Sequence, residues 1–166
     1  MIAYQPSDIK TFLSQEFKSF SQIGNLVMVI VDPYFGGRKP ALRDNVAGFL
    51  DFIWTLTGDI RFIWFCNEDS CSPMNYPQVE SFNLAEEGIS VHDRFLVLFD
   101  GAVKKYIYHF HLGGSLNGID WTETTPFSLM RISLLPEDEV TEMENLMQRL
   151  DMIYTNKSGK SNWGCL

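Results

Sequence analysis

Long apolar runs are missing from this chain. The longest, such as residues 26–31, are far shorter than the ~20 apolar residues a membrane-crossing helix needs. The N-terminus has no basic segment leading into such a run, so no signal peptide and a cytoplasmic location are expected. Basic charge is also scarce: 13 Lys and Arg stand against 21 Asp and Glu, a net charge of −8. A broad duplex-binding face needs a cationic surface to displace counterions, so that class is disfavoured, although one phosphodiester needs only a local positive pocket. Cysteine is limited to Cys66, Cys71 and Cys165. An odd count without a secretion signal reads as free or buried thiols. Cys66 and Cys71 lack the second ligand pair of a zinc site, so no metal is expected. Internal repeats and low-complexity linkers are absent.

What remains is ample material for a core. The chain has 166 residues, 45% of them hydrophobic, including 13 Phe. That length and composition suit one globular domain and argue against disorder. One domain over residues 1–156 is expected, followed by a flexible tail at 157–166.

Hydrophobic periodicity predicts the elements. Residues 7–20 read as an amphipathic helix, with Ile9, Phe12, Leu13, Phe17 and Phe20 near one face, Ser7 as its cap and Gly24 past its end. The β-branched run at 26–31 reads as a strand covered on both faces, broken by Asp32-Pro33-Tyr34. A helix over 41–56 carries Val46, Phe49, Leu50 and Ile53 as its stripe, with Gly58 past its end, and a buried strand follows at 60–65. Strand–helix–strand favours a parallel pair. Residues 67–77 read as a loop and 78–87 as holding a short helix. Strands over 89–99 and 106–112 read as a hairpin around Asp100-Gly101, then a strand over 127–134 and a helix over 136–154. The expected fold class is α/β, one mixed sheet flanked by helices on both faces.

Histidine is rare: only His92, His109 and His111 occur. His92-Asp93-Arg94 lies within the third of these strands, and residues two apart on a strand share a face. His92 and Arg94 are thus expected to point together, an imidazole able to attack phosphorus beside a guanidinium able to hold two of its oxygens. Downstream, Gly114-Ser115-Leu116-Asn117 offers a close backbone approach and two uncharged donors, Ser115 and Asn117.

This pattern resembles the phospholipase D superfamily, which carries His-x-Lys, then an Asp, then Gly-Ser-x-Asn. The counterparts in this chain are His92-x-Arg94, Asp100 and Gly114-Ser115-Leu116-Asn117, and residues 29–34 are similar to the first core strand of small bacterial members. The likeness covers roughly residues 25–154, and only the two motif pieces are specific. It implies a phospholipase D-like half with a single motif copy. In the family two motifs make one metal-independent site, in which one histidine forms a phosphohistidine and the other protonates the leaving group. An active form would therefore be a homodimer with the site on its twofold axis, a nuclease-type phosphodiesterase without cofactor. The resemblance makes His92 nucleophile or acid, gives Arg94 the lysine's role, and sets Ser115 and Asn117 to orient the phosphoryl oxygens.

Two departures stand out. Arginine replaces lysine, and Asp100 lies one residue later than the family spacing. The His-Asp-Arg variant is also similar to the phospholipase D-like domain that follows a microtubule-interacting and trafficking module, regarded as lipid-binding and non-catalytic. A catalytically degenerate domain serving as a binding or assembly subunit of a larger prokaryotic complex is thus the alternative. Headgroup binding is a third reading, opposed by the charge of −8.

Supporting roles stay open at three positions. Asp32 either orients a site residue or caps the break before Pro33. If Asp100 pairs with Lys105, Arg94 lies opposite His111 on one face; otherwise His111 is a strand histidine satisfied by its neighbours. Arg38, Lys39 and Arg43 either hold flanking phosphates or form a solvated helix entry. The carboxylates between Glu137 and Asp151 read as a solvated face. Trp54 and Trp64 read as core, and Trp163 either docks on a partner or folds back.

Overall fold

The computed structural model describes residues 2–3, 5–19, 24–34, 40–67, 79–118, 120–121 and 131–165; of residues 2–3, 19, 40–42 and 117 only the backbone is described. The chain is an α/β fold built on a seven-stranded mixed sheet. Its strands are β1 (Ile2–Ala3), β2 (Leu26–Val31), β3 (Ile60–Cys66), β4 (Val79–Asn83), β5 (Arg94–Asp100), β6 (Lys105–Leu112) and β7 (Ile132–Leu134), and its helices are α1 (Pro6–Glu16), α2 (Pro40–Thr57) and α3 (Glu137–Ser158). The strand order is β1-β7-β6-β5-β2-β3-β4. Strands β2, β3 and β4 are parallel, as strand–helix–strand connectivity predicts, and β5, β6, β7 and β1 add antiparallel.

The alternation of side chains along each strand sorts the core into two layers. Met28, Ile30, Phe62, Trp64, Leu96 and Leu98 face α1 and α2, where Ile9, Phe12, Leu13, Val46, Phe49, Leu50 and Ile53 cover them. Val27, Val29, Val31, Ile63, Phe65 and Val97 face α3, where Met143, Met147, Leu150 and Tyr154 cover them. Full burial of β2 explains why it is apolar at every position rather than alternating. Each fully buried large side chain contributes about 1.5–3 kcal/mol of transfer free energy.

Several expectations need correction. Ser7 does not cap α1: Gln5 is the N-cap, without a side-chain bond, and Pro6 begins the helix, its missing N–H costing nothing there. The short helix expected within 78–87 is the 3₁₀ turn Leu84–Glu87, capped by the Asn83 side chain, and residues 79–83 before it form edge strand β4, which the pattern does not predict. The strand expected from residue 89 begins at Arg94. Of the strand expected over 127–134, residues 132–134 are β7, and 127–130 lie outside the described residues. Cys66 is disulfide-bonded, whereas Cys165 is free and buried.

The segment expected to fray instead docks. Helix α3 runs to Ser158 and ends at left-handed Gly159 (φ 72°). The chain then folds back, and Trp163 is fully buried. Its ring meets Phe65 and Tyr154, its Nε1–H donates to the Tyr106 hydroxyl, and its backbone N–H donates to Asp151. Cys165 lies against Gly101, where any side chain would collide with its sulfur. Among the described residues, no helix is long and apolar enough to cross a membrane.

Candidate functional site

Asp32 follows the last residue of β2, at the carboxyl end of the parallel strands, where α/β sheets open ligand crevices. Its main chain prolongs the sheet, with its N–H donating to the Phe65 carbonyl and its carbonyl accepting from Trp64 Nε1. Its carboxylate is completely buried. Oδ2 accepts the Ser115 hydroxyl at 2.7 Å and the Leu116 amide at 2.9 Å. Oδ1 accepts the Tyr34 amide at 3.1 Å and lies 3.6 Å from Arg94 Nε.

The energetics of this knot are finely opposed. Burying a carboxylate costs several kcal/mol, of the order of what three hydrogen bonds to a charged group return at about 1.5–3 kcal/mol each. Burial pushes the Asp32 carboxyl above the ordinary 3.8, and the bonds from Ser115, Leu116 and Tyr34 with the Arg94 charge pull it only part of the way back. Of the two roles open for Asp32, it fills both. It closes the turn after β2 through Tyr34, and it holds two motif residues, Arg94 and Ser115, 83 residues of chain away in the case of Ser115.

Arg94 opens β5 on the α1–α2 side. Its guanidinium carbon stands 5.0 Å from the centre of the Tyr34 ring. Among the described residues its terminal nitrogens carry no hydrogen bond, and Nε is buried without one. Tyr34, in the chain break after β2 and not among the expected site residues, is thus a site residue. Its signal was its place directly after Asp32-Pro33. Asn117 lies in a short turn, Leu116–Gly118, immediately after Ser115, and its side chain lies outside the described residues.

His92 does not join this group. It sits in the irregular segment before β5, exposed, so strand alternation never applies to it. It lines an open cavity of about 470 Å³ on the α3 side with Asp93, Phe95, Leu135, Glu139 and Met143. The paired His92 and Arg94 expected on one face are therefore separated, Arg94 engaging Asp32 and His92 facing α3.

His111 is also displaced, for a different reason. Asp100 does pair with Lys105, but a bulge between Leu98 and Phe99 shifts the register by one residue. A one-residue slip moves every later side chain to the other face. Arg94 consequently opposes Leu112, and His111 opposes Phe95, their rings 5.7 Å apart. His111 lines a second cavity with Arg131, Ser133, Leu135 and Glu139.

Asp100 has no part in the site. It ends β5 at the opposite end from Arg94, and its carboxylate accepts the amides of Ala102 and Val103, fixing the hairpin turn. His109 is buried on the α3 side, its Nε2 3.7 Å from Glu144, and burial lowers its proton affinity more than Glu144 restores it. Arg38 and Lys39 lie outside the described residues, and Arg43 is exposed on α2. Among the described residues no group of three or more His, Cys, Asp or Glu is placed to hold a metal ion.

No family model, curated protein or solved structure matches this chain. The functional reading therefore rests on the site.

Proposed function

We propose that this chain is a catalytically degenerate phospholipase D-like domain that serves as a binding or assembly subunit of a larger complex. One observation carries this reading: Asp32 takes the Ser115 hydroxyl and offsets the Arg94 charge, two things a phosphate would need. The only proton of the Ser115 hydroxyl goes to Asp32 Oδ2 at 2.7 Å, and the Arg94 charge is paired with the same carboxylate at 3.6 Å. A buried anion at that spot repels a phosphodiester, and among the described residues no histidine stands beside the cation. The expected result is no hydrolysis of bis(p-nitrophenyl) phosphate or of single- and double-stranded DNA. A complex isolated with the chain from its native source should persist with His92→Ala. Turnover lost on His92→Ala would overturn the reading.

A second reading keeps the phosphodiesterase: a metal-independent, nuclease-type homodimer working through a phosphohistidine on His92. Two observations favour it. His92 is exposed, and among the described residues neither it nor the terminal nitrogens of Arg94 form a hydrogen bond. A second copy would have to supply the missing half of the site. That reading requires a dimer by light scattering and chelator-resistant turnover; a strict monomer removes it.

A further inference from the structure

Glu137, Asp138 and Glu139 lie in the first turn of α3, where carboxylates suit the helix dipole. Glu139, with Glu142 beyond that turn, also lines the cavity that holds His92 and Asp93. Glu139 stands one turn before Met143, which begins the stripe that α3 buries on the sheet. Half-buried Val140 carries the stripe one step further, and beside it exposed Glu139 edges the cavity. The floor left behind is apolar and only partly covered: Phe95, Leu135 and Leu146 are half-buried.

The mouth of this cavity has one sign of fixed charge. Asp93, Glu139 and Glu142 are all exposed, and among the described residues none forms an ion pair. Among the described residues no lysine or arginine lines it; Arg131 lines the adjoining cavity, which shares Leu135 and Glu139 with this one. The α3 dipole supplies only about half a positive charge at its N-terminus, against three carboxylates. His92 adds hydrogen-bonding capacity at the rim. Apolar floor and anionic mouth match a side chain with an aliphatic stem and a cationic head.

We propose that this cavity is a docking site for a basic segment of a partner protein. It seats a lysine or arginine among Asp93, Glu139 and Glu142, with a neighbouring aliphatic side chain on Phe95, Leu135 and Leu146. The site lies on the opposite face from the Asp32 knot and stands whether or not the chain hydrolyses a phosphodiester.

The test uses the ¹⁵N-labelled full chain titrated with the acetylated, amidated peptide Leu-Lys-Leu-Arg-Leu. Its counterpart Leu-Glu-Leu-Glu-Leu is the reverse-charge probe. Saturable shifts are expected in the amides of residues 90–95 and 139–146. Glu139→Gln with Glu142→Gln should weaken binding about tenfold, the scale of two partly exposed ion pairs. Asp8→Asn with Asp59→Asn removes the same charge elsewhere and should change affinity by less than about twofold. Four results would overturn the proposal: no saturable shift at those residues, equal binding of the acidic peptide, equal loss in both double variants, or concentration-dependent shifts there without peptide, which would make the cavity a contact between copies.

Discussion

The Ser115 hydroxyl donates to the Asp32 carboxylate at 2.7 Å across 83 residues of chain. This bond ties the turn after β6 to the end of β2, and so joins the glycine–serine motif to the first core strand. Asp32→Ala would strand the Leu116 and Tyr34 amides, the Ser115 hydroxyl and the Arg94 charge together. A loss of about 3–5 kcal/mol in urea unfolding is expected, the cost of breaking a buried charge pair. Asp32→Asn should recover only part of it, because its NH₂ group faces donors where the carboxylate accepted.

The two halves of the motif should separate in stability measurements. His92 is exposed and forms no hydrogen bond among the described residues, so His92→Ala is expected to stay within about 0.5 kcal/mol of the parent. Ser115→Ala removes a bond to a buried carboxylate and should cost about 1.5–3 kcal/mol. Equal effects of the two substitutions on the urea midpoint would contradict the arrangement described above.

His109 makes stability depend on pH. Burial lowers its folded-state pKa below the ordinary 6.5, the nearby Glu144 opposing this only in part. Between the two values the unfolded chain holds more protons than the folded one, so stability rises with pH there. The contribution is present in full above 6.5 and is lost as pH falls through the folded value, with a slope of at most about 1.4 kcal/mol per pH unit. Denaturant midpoints measured from pH 7.5 to 5 should show this slope. His109→Gln, which cannot titrate, should flatten it.

The C-terminal turn should behave as part of the core. Trp163 is fully buried between Phe65 and Tyr154 and bonds Tyr106. Trp163→Ala is expected to cost about 3–5 kcal/mol, as for other large-to-small core changes. A thermal midpoint unchanged by that substitution would mean the turn is not docked in solution.

How legible the site was depended on the range of each interaction. The buried strands, the helical stripes and the Asp100 turn were readable because each is set within a few residues. The pairing of His92 with Arg94 was not, since it assumed a strand from residue 89, whereas β5 begins only at Arg94. The register assumption at Asp100 and Lys105 was correct, yet the inference to His111 failed at the bulge. No local signal marks a bulge, which is decided by how both faces of the hairpin fill. Residues 79–83 do not read as a strand because the β3 edge that recruits them is distant in sequence.

By itself, the sequence determined the α/β class, the parallel β2–β3 pair, the β5–β6 hairpin and the apolar stripes of the three helices. These follow from side-chain periodicity and turn chemistry, which act over a few residues. Only the tertiary structure decided that Asp32 holds Ser115 and Arg94, that His92 and His111 face α3, that Glu139 and Glu142 rim a cavity, and that Trp163 completes the core. Each of those depends on which segments meet across the sheet, and burial of one charge or ring against another is a property of the meeting, not of either segment.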